Sequence, residues 1–154
     1  SGSVNKHDSL RILPSNGTGI ARSLQVMDDD VDQAKAGDRV GVALRNADET
    51  SLSQGSLIIN DGDDDTVEVH QKTKLNFIDA PFARYKPTIG GILHVAIDLQ
   101  FVVGRIEVVE EKELIVKWDS PLMIRKHGNP RLLICQLDAK PRIIGYAIDY
   151  EKLE

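Results

Sequence analysis

Two segments, Ala21-Arg22-Ser23-Leu24-Gln25 and, twelve residues on, Gly37-Asp38-Arg39-Val40-Gly41-Val42-Ala43-Leu44, set the architecture of this chain. Each reads as a short strand, and the glycines of the second permit tight turns and close strand approach. Between them lies Asp28 to Ala36, a short acidic stretch that ends at Gly37 and reads as a connector with at most one helical turn.

Outward from these segments the pattern stays that of β-structure. Leu93, Val95, Ile97 and Leu99 alternate with polar or small residues, as do Leu114, Val116 and Trp118, then Ile144, Tyr146, Ile148 and Tyr150. Val67, Val69, Leu75 and Phe77 keep one parity. A period of two places such sets on one face of a sheet. Turn signals separate the runs at Asn16-Gly17, Gly90-Gly91, Glu110-Glu111-Lys112 and Gly128-Asn129-Pro130. Many short strands punctuated by Gly and Pro imply an all-β chain of barrels or sandwiches. The polar run Asn60-Asp61-Gly62-Asp63-Asp64-Asp65 reads as a solvated boundary. A calcium loop counted from Asp61 needs Glu at its twelfth position and meets Lys72. The expected organisation is two small β-barrels, residues 4–64 and 65–154, with Ser1-Gly2-Ser3 set aside as an appended scar. The first unit is near the size at which a lone core is marginal, and is read as a barrel lacking its opening strands.

Composition narrows the function classes. The 154 residues are 41% hydrophobic, 28% charged and 5% aromatic, with a net charge of −5. That suits a globular protein with a real core and argues against an aromatic platform for single strands or a uniformly basic nucleic-acid surface. One cysteine, Cys135, rules out an internal disulfide framework and fits a reducing, cytoplasmic setting. No apolar run approaches the roughly 18 residues of a membrane helix, so no membrane partner is expected.

The chemical motifs are thin. Asn5-Lys6-His7-Asp8 spells the guanine-specificity signature of GTPases, but it lacks the preceding buried strand and a G-x-x-x-x-G-K-S/T phosphate loop; a chance match is the reading. His7, His70, His94 and His127 are scattered, and Cys135 sits in the apolar run Leu132 to Leu137, as a structural cysteine would. Catalytic and metal-ligating residues are therefore assigned to none. The basic residues Arg22, Arg39, Arg84, Lys86, Arg125, Lys126, Arg131, Lys140 and Arg142 are the more suggestive set, because arginine can bind phosphate or carboxylate through two parallel bonds.

The residues then carry a family pattern. Leu10-Arg11-Ile12-Leu13-Pro14, Ala21 to Gln25, Ala36 to Leu44 and Gln54-Gly55-Ser56-Leu57-Ile58 resemble domain II of elongation factor Tu and its relatives. R-S-L-Q followed by G-D-R-V-G is most similar to the selenocysteine-specific elongation factor of archaea. Pro121-Leu122 and Arg142-Ile143-Ile144-Gly145 resemble that factor's domain III. The resemblance implies two barrels that present aminoacyl-tRNA: Arg39 lining the aminoacyl pocket, Gln25, Val26 and Met27 beside the terminal adenosine, Arg22 near the same strand, and Arg142 facing the tRNA stem. It further implies a GTPase domain in the parent protein, holding GTP and magnesium, and the ribosome as partner. This chain would hydrolyse nothing alone. Its open barrel edge would offer a route to a homodimer. A non-catalytic protein-interaction module, derived from a factor with a degraded GTPase domain, is the alternative.

Overall fold

A computed structural model describes residues 2–154. The chain divides into two compact units, residues 1–64 and 65–154, and is built almost wholly of strands, as the alternation implies.

The first unit contains β1 (Ser3–Asn5), β2 (Ser9–Leu13), β3 (Gly17–Val26), β4 (Asp29–Val31), β5 (Gln33–Lys35), β6 (Val40–Arg45) and β7 (Leu57–Asn60). Ser3, set aside on sequence grounds, opens β1 and pairs with Lys35; Ser1 lies outside the described residues. The long β3 is the hub: it pairs with β2 at its start and with β4 and β6 at its end, while β7 flanks β2. Ala21 and Leu24 are both fully buried although three residues apart. Strict alternation would put them on opposite faces. The register shift between Ala21 and Ser23, with Arg22 as the extra residue, restores them to one face. Leu10 joins them, with Val4, Val31, Val40, Val42 and Leu44 packed around this small core.

Two expectations change here. Residues 28–36 hold no helical turn; they form β4 and β5. Met27 and Asp28 have φ of +52° and +69°, so a two-residue turn of type I′ geometry folds β4 back on β3. The boundary run is also more than a solvated linker. Arg11 on β2 binds Asp61 at 3.0 Å and also Asp64, which holds the guanidinium above its usual pKa, mainly through the Asp61 hydrogen bond. The Asn5-Lys6-His7-Asp8 match is a turn: Asp8 Oδ2 accepts from the Asn5 backbone N–H at 2.7 Å and from its side-chain amide at 3.2 Å.

The second unit contains β8 (Val67–Asp79), β9 (Ile92–Ile97), β10 (Gln100–Glu110), β11 (Glu113–Arg125), β12 (Leu132–Cys135) and β13 (Ile143–Leu153). They close into a six-stranded barrel in the order β10-β11-β8-β13-β12-β9. Leu75, Leu93, Val95, Ile106, Leu114, Val116, Leu122, Leu132, Ile134 and Ile144 fill the interior. Closure removes the sheet edges that would otherwise invite pairing. Leu99 leaves the pattern expected of it. It follows the turn residue Asp98, is 76% exposed, and does not continue the buried face of β9. The run from Ile144 to Tyr150 also departs from a single face. Gly145 and Ala147 are the buried alternates, Ile148 is exposed, and the register shifts between Ala147 and Tyr150. Gly145 carries no side chain to reveal its inward position, and a Cβ there would lie 2.4 Å from the Ile78 carbonyl oxygen.

Candidate functional site

In the first unit the β3–β6 register sets Gln25 opposite Gly41 and Val26 opposite Val40. One step beyond that last pair come Met27, in the turn after β3, and Arg39, just ahead of β6. Arg39 is not within a strand. Gly37, at φ +98°, and Asp38, whose Oδ2 accepts from the Lys35 N–H at 2.8 Å, close a turn that delays the ladder until Val40. Val40, Val42 and Leu44 pack toward the core while Gly41, Ala43 and Arg45 are exposed. Nothing crowds the missing Cβ of Gly41; Gln25 is the nearest neighbour, at 3.9 Å. The result is a shallow floor of small residues bordered by Gln25, Met27 and Arg39.

The border residues differ in their freedom. Arg39 is exposed, and its guanidinium has no hydrogen bond or ion pair among the described residues. Met27 is 90% exposed at the hairpin tip. Gln25 donates from Nε2 to Asp30 Oδ1 at 3.0 Å. Arg22, exposed on the bulge, stands three residues further up β3. Arg142 belongs to the second unit: it lies in the bend before β13, exposed, its carbonyl accepting from the Gln136 N–H at 2.8 Å. Acidic groups surround the floor, with Asp28, Asp29 and Asp30 on the hairpin and Asp38 beside Arg39. The first unit as a whole has six basic against eleven acidic residues, and the second has thirteen of each. A lone free guanidinium on an acidic background attracts a small anionic group at one point and repels an extended phosphate backbone elsewhere.

Two features of the second unit escaped sequence reading. One is a cavity of about 360 Å³ lined by Glu68, Arg125, Lys126, Asn129, Asp149 and Tyr150 among others. Arg125 clamps Asp98 through two bonds of 2.9 Å, and that pairing holds its pKa above the usual value. Burial raises the Tyr150 hydroxyl pKa. The other is a row on the outer wall. The registers align Phe101, Ala96, Leu133 and Tyr146 across β10, β9, β12 and β13. Phe101 is 54% exposed and stacks on His94, ring centroids 5.0 Å apart, while Arg131 lies over Tyr146. His94 Nδ1 is buried there with no hydrogen-bond partner among the described residues. These residues come from strands far apart in sequence, so no local motif announces them. Cys135 is buried, and burial pushes its thiol pKa up, as suits a structural cysteine.

A curled sheet with a glycine-floored edge, followed by a closed six-stranded barrel, is the fold of the β-barrel portion of translation elongation factors. Residues 1–59 match the family model of elongation factor Tu domain 2. Along nearly its whole length the chain is similar to the selenocysteine-specific elongation factor of Methanocaldococcus jannaschii, 31% identical over 99% of this chain and 37% of that protein. An uncharacterized protein of the same organism is 30% identical over 94% of this chain and 45% of its own length. The chain thus spans less than half of these curated relatives. Among solved structures, the apo form of translation elongation factor SelB from Methanococcus maripaludis superimposes with a TM-score of 0.77 at 24% identity, over 95% of this chain and 36% of that one. A bacterial selenocysteine-specific elongation factor, EF-Sec, gives 0.76 at 19%, over 99% and 23%. These structural likenesses establish the fold.

Proposed function

We propose that this chain is the tRNA-facing β-barrel portion of an elongation factor similar to the selenocysteine-specific one, and that it binds aminoacyl-tRNA without catalysing a reaction itself. The observation that carries this reading is the unpaired, exposed guanidinium of Arg39 at the border of the glycine floor in the segment that matches elongation factor Tu domain 2. In this reading Arg39 attracts the anionic selenolate of the aminoacyl group, Gln25 and Met27 border the terminal adenosine, and Arg22 and Arg142 supply further contacts to tRNA. The acidic surroundings of Arg39 favour a point contact of this kind over broad phosphate binding. GTP and magnesium belong, in this reading, to a GTPase domain of the parent protein. The ribosome is, in this reading, the wider partner. The setting is cytoplasmic; among the described residues no helix is long and apolar enough to cross a membrane.

The test is binding of selenocysteine-charged and deacylated tRNA to the chain and to its Arg39→Ala variant. Loss of a charge-assisted contact predicts about a ten- to hundredfold weaker affinity for the charged form, with marked salt sensitivity in the parent chain. Affinity indifferent both to the substitution and to deacylation would refute the pocket. The acidity of the first unit supports a second reading, a protein-interaction module. That reading predicts no tRNA shift at moderate salt and a specific protein partner, or a second copy joined through the open edges of β6 and β7.

A further inference from the structure

The second unit contains a buried polar chain that the tRNA reading does not use. His70 and Thr73 on β8 are fully buried, and Trp118 on β11 is 3% exposed. The indole Nε1–H donates to Thr73 Oγ1 at 2.8 Å. Thr73 Oγ1 lies 3.0 Å from His70 Nδ1, and His70 Nε2 lies 3.2 Å from Glu68 Oε2. Donor and acceptor capacities fix the direction of every link. Ionised Glu68 only accepts, so His70 Nε2 carries the hydrogen. In the neutral ring Nδ1 then only accepts, so the Thr73 hydroxyl must donate to it. That leaves the hydroxyl oxygen to accept from Trp118, which only donates. All four groups are satisfied with His70 neutral.

This chain spans a defect in the barrel wall. On β11 Lys117 pairs with Lys72 of β8, and the next pair is Leu122 with His70. Residues 118–121 therefore face the single residue Gln71, and the backbone ladder is interrupted there. The Trp118–Thr73 bond crosses the seam beside the interruption, and the Thr73–His70 and His70–Glu68 bonds within β8 hold its acceptor in place. We propose that they form a proton-operated latch, which holds the β8–β11 seam shut while His70 is neutral and releases it when His70 takes up a proton.

The incoming proton has one place to go, His70 Nδ1, because Nε2 is already protonated. Thr73 must then turn its hydroxyl away, its own hydrogen loses its acceptor, and the imidazolium Nδ1–H competes with the Trp118 Nε1–H for the one oxygen, which weakens the bond across the seam. The charged groups around the ring oppose one another. From β8, Glu68 favours the cation. From β13, Lys152 disfavours it, and Tyr150 meets the ring edge-on at 6.5 Å. Beyond the end of β11, Lys126 lies 3.9 Å from Glu68 and competes for it. Arg125 is held by Asp98, and Asp149 lines the adjoining cavity. Burial outweighs Glu68 and lowers the His70 pKa, so the latch stays closed at neutral pH and opens on acidification.

Trp118 is the sole tryptophan, so its emission reads the latch in the intact chain. Emission followed from pH 8 to pH 4.5 is expected to shift to the red in one step, with a midpoint below the ordinary histidine value of about 6.5. In His70→Asn the side-chain carbonyl can still accept from Thr73 but cannot be protonated, and the step should vanish. Nitrogen NMR of the imidazoles in the unaltered chain gives a readout that needs no variant: His70 should be the Nε2–H tautomer at pH 7. An Nδ1–H tautomer, flat tryptophan emission while His70 titrates, or the same step in folded His70→Asn would each overturn the latch.

Discussion

Replacing Gly104 by alanine should destabilise the second unit strongly, although the change adds one methyl group. Gly104 on β10 stands directly opposite Trp118 on β11, inside the barrel. A Cβ there would lie 2.5 Å from both Trp118 Cε3 and Val116 Cγ1, against a carbon–carbon optimum of about 3.5–4.0 Å. Neither neighbour can yield at low cost. Trp118 is tied to Thr73 and Val116 is fully buried. Overpacking of this kind costs about 1–3 kcal/mol, and swinging the indole off Thr73 adds about 1 kcal/mol. Stiffening of the unfolded chain returns about 0.4–1 kcal/mol. The net loss is about 1–3.5 kcal/mol, or a fall in Tm of roughly 5–25 °C for a unit of this size. Urea unfolding followed by Trp118 emission measures it. In Gly104→Ala combined with Trp118→Phe the clashing ring is gone, so the two losses should fall short of additive. A loss below about 0.5 kcal/mol, or strict additivity, would mean that the strand separation at Gly104 is not what holds the indole.

Further outcomes follow from the same geometry. Because burial lowers the His70 pKa in the folded state, the stability tied to neutral His70 is present above the unfolded-state value of about 6.5. It declines as pH falls through the lower folded value. The urea midpoint should therefore drop more between pH 7 and pH 5 in the parent chain than in His70→Asn. Substituting Asn-Gly for Met27-Asp28 suits the positive φ of both turn residues and should raise the stability of the first unit by about 1–2 kcal/mol, measured by thermal unfolding. If Met27 borders the adenosine, the same variant loses tRNA affinity despite being more stable. Arg11→Ala frees Asp61 and Asp64, so proteolytic cleavage in residues 60–66 should accelerate, and high salt should produce the same acceleration in the parent chain.

How much of this was legible in the sequence differs between the units. In β9 and β11 strict alternation put Leu93, Val95, Ile97, Leu114, Val116 and Trp118 on one face, and all are buried, because a strand has no other way to place successive side chains. The alternation misled where a bulge or turn intervened, as at Leu99 and Tyr150. A single inserted residue reverses the parity of all that follow, and local sequence carries little trace of it. The glycine-rich segment Gly37 to Leu44 displayed the family, since its glycines answer to local backbone needs. What composition and periodicity determined by themselves was an all-β chain, and the resemblance of its first segment to elongation factor Tu domain II singled out Arg39. Only the tertiary structure decided that Arg39 stands unpaired beside Met27 and Gln25, that Arg11 fastens the acidic boundary, and that His70, Thr73 and Trp118 meet across an interrupted seam. Those facts depend on which strands become neighbours and in what register, and register is set by closure of the whole sheet rather than by any one strand.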